Sequence, residues 1–373
     1  MNSPRIEVDL SKLRHNTRTI VGRLNARGIR VTGVTKAICG HPIIARAVLD
    51  GGVAGLAEAR LHNVQRLRKA GVICPITLIR TPMLSQADDV VQVCEASYNT
   101  EMTVIVSLAA AAIRQNRVHG IILMVEMGDQ REGIMPQDLG DIALQVVDMP
   151  GVALKGIGAN FACLSGVAPN AAKMKTLSAF ANNVERQCGP LLQTVSGGNS
   201  ANLPWALAGH ATGRINDLRI GEAILLGSDP ISGDQIGGVF RDAFTLVAEI
   251  IETDVKSVRP SLSFADASLA KLCLLPNPRE TTRLILAIGH QDTDILGLSM
   301  PNGNVLIGAT SDHLVIGAQH AAVRVGSEMR FQMNYSALMR AMAAPDVGLK
   351  LLRHDITPHR RGTPDTDKHL ALV

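Results

Sequence analysis

Val31-Thr32-Gly33-Val34-Thr35-Lys36 is a short run of small and β-branched residues that delivers a lysine at its end. Such a run reads as a buried strand. A lysine leaving a buried strand is expensive unless it is paired, titrated down or used covalently, and Schiff-base formation is one such use. Taken alone, Lys36 reads as well as a surface-loop lysine. What lifts it is the grammar downstream. Similar apolar runs follow at Ala54–Ala57, Ile76–Ile79, Ala96–Asn99, Ile121–Glu126, Leu154–Ala159, Gln193–Ser196 and Leu218–Leu226. Amphipathic stretches separate them. Pro42 leads Ile43, Ile44, Ala47 and Val48 toward a Gly51-Gly52 stop, and Thr100–Asn116 and Pro136–Asp148 read as helices too. About eight strands alternating with helices close into a parallel (β/α)8 TIM barrel, an α/β fold, here over residues 10–227. One helix precedes it, with Asp9 as N-cap and Leu10, Leu13, Thr17, Ile20 and Leu24 on one face.

After Gly227 the pattern changes. Phe240–Glu252, Arg283–Ile288, Asn304–Ile307, His313–Ile316 and Ala322–Val325 read as strands without intervening helices. They predict a C-terminal mostly-β domain over 228–350, joined by an N-terminal strand at 5–9, with a tail at 351–373. Aromatic residues are only 2% of the 373, so the core is built from Ile, Val, Leu, Ala and Met. The net charge of +4 is spread along the chain, without a basic stripe interleaved with aromatics. That argues against nucleic acid as a partner, and the basic cluster at His354–Arg361 reads as a solvated terminus. No apolar run is long enough to span a membrane, and no apolar signal region precedes Arg5, so a cytoplasmic protein is expected. The six cysteines (Cys39, Cys74, Cys94, Cys163, Cys188 and Cys273) form no C-x-x-C pair and read as free thiols in a reducing compartment; Cys39 reads as a packed residue.

Active residues of such barrels sit at the C-terminal ends of the strands. The fifth run leads into Glu126–Gly133, where Arg131 reads either as a fork for a carboxylate or as a surface arginine paired with Asp129 or Glu132. The seventh ends in Ser196-Gly197-Gly198-Asn199-Ser200, a glycine-rich turn before Leu203-Pro204, read as an anion nest or as a plain capped turn. The eighth carries Asp217-Leu218-Arg219-Ile220-Gly221-Glu222, where Arg219 sits among apolar residues and needs a partner. Lysine, nest and arginine converge on one barrel mouth.

Those residues carry a family resemblance. Val34-Thr35-Lys36-Ala37 resembles the cofactor-lysine motif of alanine racemases, Val125–Gly133 their strand-five loop, and Arg219-Ile220-Gly221 their segment for the pyridine nitrogen and phosphate. Ile6–Leu10 with Leu13–Asn16 is similar to their N-terminal opening, and the likeness runs over most of the chain. Gly33–Ala37 and Gly308–His313 are most similar to the ornithine-type branch of this fold-type III group. The resemblance implies a pyridoxal 5'-phosphate enzyme, a homodimer whose sites are completed by the partner's β domain, and an amino-acid substrate. It implies that Lys36 holds the cofactor, that Ser200 and Gly221 contact its phosphate, that Asn199 and Glu222 also bind it, that Arg219 faces the ring nitrogen, and that Arg131 helps hold the substrate carboxylate. An arginine there disfavours ring protonation and weakens the electron sink, so proton removal and return dominate. The implied activity is racemisation of a basic amino acid, ornithine or lysine, by two bases at Cα.

The departures bear on the second base. Where the family has its β-domain tyrosine, the chain reads Ile288-Gly289-His290, and its two tyrosines, Tyr98 and Tyr335, lie elsewhere. Ile38-Cys39-Gly40-His41 follows the lysine motif without the family's tyrosine, and Met124 replaces its modified lysine. His313, Asp312 and His290 are the candidate bases, with Asp312 also a partner for a side-chain ammonium. If extended, Asp312 and His313 point to opposite faces. The competing readings are a non-catalytic pyridoxal-phosphate homeostasis protein, against which the second domain counts, and a decarboxylase or aldolase on this fold. Cys273 lacks the adjacent acid of such decarboxylases. His354, Asp355 and His359 are the only local candidates for an aldolase's metal.

Overall fold

Asp9 ends one strand and begins one helix. It closes β1 (Arg5–Asp9), and its carboxylate accepts from the backbone N–H groups of Ser11 and Lys12 at the start of Leu10–Asn25. The expected apolar face is buried, together with Asn16, which donates to the carbonyls of Ile224 and Phe240 and so ties the helix to the end of the barrel. The structure, a computed structural model, describes residues 3–164, 166–256, 281–301, 303–318 and 323–353.

The barrel consists of β2 (Arg30–Val34), β3 (Gly55–Glu58), β4 (Ile76–Leu78), β5 (Ala96–Asn99), β6 (His119–Met124), β7 (Val152–Gly158), β8 (Thr194–Ser196) and β9 (Asp217–Ile220). Each pairs in parallel with its neighbours, and β9 pairs with β2 to close the ring. The expected (β/α)8 barrel is therefore present. Its strands are buried on both faces, which is why they read as nearly continuous apolar runs.

The second unit is built from β10 (Phe244–Lys256), β11 (Thr281–Leu286), β12 (Leu298–Ser299), β13 (Asn304–Ala309), β14 (Leu314–Ala318), β15 (Glu328–Met333) and β16 (Gly348–Leu352). With β1 they form an eight-stranded sheet in which β1 lies between β10, antiparallel, and β16, parallel. Ile6 and Val8 enter the apolar core. On the opposite face buried Glu7 accepts from Arg5, Arg330 and Lys350. Burial alone would raise the Glu7 carboxyl; the hydrogen bonds from Arg330, Arg5 and Lys350 outweigh it and hold it at about 2.

Several sequence boundaries are corrected. Leu218–Leu226 is not one strand: β9 stops at Ile220, and Glu222–Leu226 is a short helix. Both pieces are buried, so an unbroken apolar run hid the change of period. The strand expected from Phe240 begins at Phe244. Val323–Val325 are not extended into a strand; the strand there is Glu328–Met333, whose alternating pattern is set by inward Phe331 and Met333. The mostly-β unit also contains the helix Tyr335–Ala343, and pairing continues through β16 to Leu352. Cys273, His354, Asp355 and His359 lie outside the described residues. Among the described residues no helix is long and apolar enough to cross a membrane, and no cluster of three or more His, Cys, Asp or Glu could hold a metal.

Candidate active site

Lys36 lies two residues past the end of β2 and opens a single 3-10 turn, Lys36–Ile38. The chain then reverses through Cys39 (φ 51°) and Gly40 (φ 60°). A Cβ at Gly40 would meet Asn63 Cβ at 2.8 Å, so this reversal needs glycine. Beneath it, Thr35 Oγ1 donates to Glu58 Oε1 at 2.8 Å, while Asn63 Nδ2 and the Ala59 N–H donate to Glu58 Oε2. Glu58 is completely buried, and burial pushes its carboxyl up.

Lys36 faces a cavity of about 540 Å³ whose wall also includes Arg131, Asn199, Ser200, Arg219, Gly221 and Glu222. The expected convergence is present: seven candidates from four strand ends meet in one space. Tyr335 joins them from the second unit, with the Lys36 Nζ 5.5 Å from its ring centroid. Asn334 caps the helix that begins at Tyr335 by accepting from the Ala337 N–H, which fixes where that ring stands.

Arg219 has the partners its setting demands. Nη1 donates to Ser196 Oγ at 2.7 Å and to the Tyr98 hydroxyl at 3.1 Å, and Nη2 donates to the Ala159 carbonyl at 2.8 Å. Its guanidinium lies 4.6 Å from the Tyr98 ring centroid, a cation–π geometry. Ser196 in turn donates to Asp217, which also accepts from Thr32. Space for this stack comes from Gly158, where a Cβ would sit 2.9 Å from Tyr98 Cε1 and 3.3 Å from Arg219 Nη1.

The turn after β8 meets the turn after β9: Ser200 Oγ accepts from the N–H groups of Gly221 and Ala223, both at 3.3 Å. Asn199 accepts from the Ala201 N–H and donates to Asn160 and the Phe161 carbonyl, so it anchors the loop. Glu222, half-buried, has its carboxyl pushed up to about 7, first by burial and also by Asp229, against the pull of Lys36.

Arg131 has the carboxylate partner that its surface reading named, Glu132. It lines the cavity, and it is held by Glu132 and by Cys163, whose Sγ lies 2.9 Å from Nη1. Its loop is organised by Glu126, which accepts from the Gly128 and Gln130 N–H groups, and by buried Asp129, which accepts from Cys163 and Leu164.

His290, Asp312 and His313 do not reach this cavity within the chain. Asp312 and His313 are exposed at the tip between β13 and β14, in a turn closed by the Thr310 N–H donating to the His313 carbonyl. They are not on an extended strand, so the expectation of opposite faces is replaced by a shared tip. Gln291 donates to Asp312, and the His290 N–H donates to the Thr310 carbonyl, so all three belong to one patch. The sequence reading missed Tyr335, Tyr98, Glu58 and Cys163 as neighbours of the site. For Tyr335 a signal existed: Asn334 precedes a helical apolar face of Ala337, Leu338 and Ala341.

A lysine on the first strand of a closed barrel, backed by an arginine on the last and followed by an antiparallel sheet, marks the racemase-type class of barrel enzymes. The chain belongs to the alanine racemase family, whose N-terminal-domain model matches residues 8–229. It is 32% identical over 357 residues to the ornithine racemase of Acetoanaerobium sticklandii, covering 94% of this chain and 99% of that one. It is equally 32% identical over 357 residues to the lysine racemase of Thermotoga maritima, covering 92% and 97%. Among solved structures, the alanine racemase of a D-cycloserine-producing Streptomyces lavendulae shares the fold, with a TM-score of 0.74 at 18% identity over 94% of this chain and 98% of that one.

Proposed function

We propose that the chain is a pyridoxal-phosphate-dependent racemase of a basic amino acid, ornithine or lysine. The observation that carries this reading is Lys36 and Arg219 on adjacent strands, facing one cavity with the Ser200–Gly221 turn beside them. The two full-length relatives named for ornithine and lysine support the substrate class.

The residues fit the cofactor. The cavity volume of about 540 Å³ suits a small aromatic ring with a phosphate and an amino acid, and four cations line it: Lys36, Arg80, Arg131 and Arg219. The close approach of β2 to Gly221, where a Cβ would meet Val34 Cβ at 3.0 Å, keeps the turn N–H groups against the cavity wall. Bound there, pyridoxal phosphate supplies an electron sink that acidifies the substrate's Cα–H. Lys36 would hold it and move a proton at Cα on one face. Arg219, already fixed by Ser196, Tyr98 and Ala159, would face the ring nitrogen and disfavour its protonation. Arg131 receives the substrate carboxylate. Removing a proton from one face and returning one to the other requires a second base opposite Lys36. His313, Asp312 or His290 supplies it from the β domain of a second copy in a homodimer, since none reaches the cavity of its own chain.

The test is incubation with a panel of L-amino acids followed by chiral chromatography. D-ornithine or D-lysine is expected; rapid turnover of alanine with none of ornithine or lysine overturns the substrate assignment. Borohydride reduction should label the peptide containing Lys36, and a label on another lysine overturns its role.

A further inference from the structure

A second chamber, of about 300 Å³, adjoins the Lys36 cavity and shares Glu222, Pro230 and Tyr335 with it. It lies where the barrel meets the β-sheet unit and also takes in Asp229, Asn334 and Arg241. The two spaces differ in charge. The first is lined by four cations against Glu132 and Glu222; the second by Glu222 and Asp229 against Arg241, which is exposed. The Glu222 carboxylate lines both and accepts no hydrogen bond among the described residues. Its nearby cation is Lys36.

The structure assigns Glu222, backed by Asp229, as the subsite for the side-chain ammonium of a basic amino acid. This rests on the racemase reading above and names a residue for its selectivity. The charge of the two chambers sorts the ends of such a substrate: carboxylate toward Arg131, distal ammonium toward Glu222. Glu222 is half-buried and accepts no hydrogen bond among the described residues, so a cation brought beside it favours its ionised form. A basic side chain brings one; an uncharged side chain of the same length does not. The family resemblance had put Glu222 among the cofactor's contacts instead, and the two roles separate by experiment.

The test compares ornithine with norvaline, which has the same carbon chain without the terminal amine, in the holoenzyme and its Glu222→Gln variant. Cofactor occupancy is read from absorbance per chain. The ornithine-to-norvaline ratio of kcat/KM is expected to fall about 10- to 100-fold in Glu222→Gln, as expected for loss of one charged hydrogen-bond partner. Asp229→Asn should lower it less. If both substrates and cofactor occupancy fall together at a constant ratio, Glu222 serves the cofactor and the subsite is overturned while the racemase reading stands. A wild type that prefers norvaline overturns the basic-substrate reading and the subsite together.

Discussion

Thr35 and Glu58 are joined by a hydrogen bond in which the Thr35 hydroxyl donates at 2.8 Å to a carboxylate with no exposure to solvent. The bond lies one residue before Lys36, so a buried acid on β3 sets the turn in which the lysine stands. Thr35→Val removes one donor and leaves Glu58 with Asn63 and Ala59. A loss of about 1–3 kcal/mol is expected in the unfolding free energy, read as a lower denaturant midpoint, together with slower turnover. An unchanged midpoint would show the remaining donors to be enough.

Glu7 and Glu58 should tilt the pH dependence of stability in opposite directions. Glu7 is held at about 2 against an ordinary 4.5, so its contribution is present above 4.5 and lost as pH falls toward 2. Glu58 is raised, so its contribution is present below 4.5 and lost as pH rises through its folded value. Melting temperature against pH should show a shallower acid limb in Glu7→Gln. The decline above pH 4.5 should be shallower in Glu58→Gln. The reverse assignment of the two limbs would refute this account.

Gly158→Ala should disturb Arg219 without touching Lys36. The added methyl would lie 2.9 Å from Tyr98 Cε1 and 3.3 Å from Arg219 Nη1, inside normal contact for the first and tight for the second. Turnover is expected to fall at least about tenfold, the equivalent of about 1.4 kcal/mol, with a shifted cofactor spectrum and a folded protein by circular dichroism. Wild-type spectrum and rate in a folded variant would mean that the stack relaxes freely.

A site shared between copies predicts complementation. Lys36→Ala and Asp312→Ala, each inactive alone, are mixed in equal amounts and allowed to exchange subunits. Half the dimers are then mixed, each with one intact site, so about a quarter of wild-type activity should return. No recovery despite proven exchange places Asp312 outside the shared site.

Of the five described cysteines only Cys163 is exposed, and its sulfur touches Arg131. N-ethylmaleimide should modify Cys163 first and raise KM by crowding the arginine fork. Cys163→Ser should remove that sensitivity. Inactivation that persists in Cys163→Ser would point to a different thiol.

The barrel was legible because its strands are local and apolar, and because Lys36, Ser200 and Arg219 each stand at a strand end. The helix that begins at Tyr335 left a signal in Asn334 and its apolar face, but its place beside Lys36 did not: 299 positions separate the two, and the packing of that helix against the turn after β2 brings them together. Glu58 was hidden for another reason. An acid at the end of a short strand looks like the start of a loop, and donors on Thr35, Asn63 and the Ala59 and Arg60 backbone offset its burial. The boundary error at Leu218–Leu226 has a local cause, since contiguous apolar residues on both sides of Gly221 satisfy both strand and helix periods.

The position of β1 between β10 and β16 also sets an order of assembly. Residues 5–9 are made before the barrel strands, yet one of their neighbours, residues 348–352, is made after all of them. The barrel strands, from residue 30 to 220, need no residue beyond them to close their ring. During synthesis the barrel can therefore form while β1, with its buried Arg5 and Glu7, still waits as an unpaired edge. The slowest native contact to form should be the parallel ladder from Arg5 to Asp9, and a nascent chain halted before Gly348 should expose it to protease.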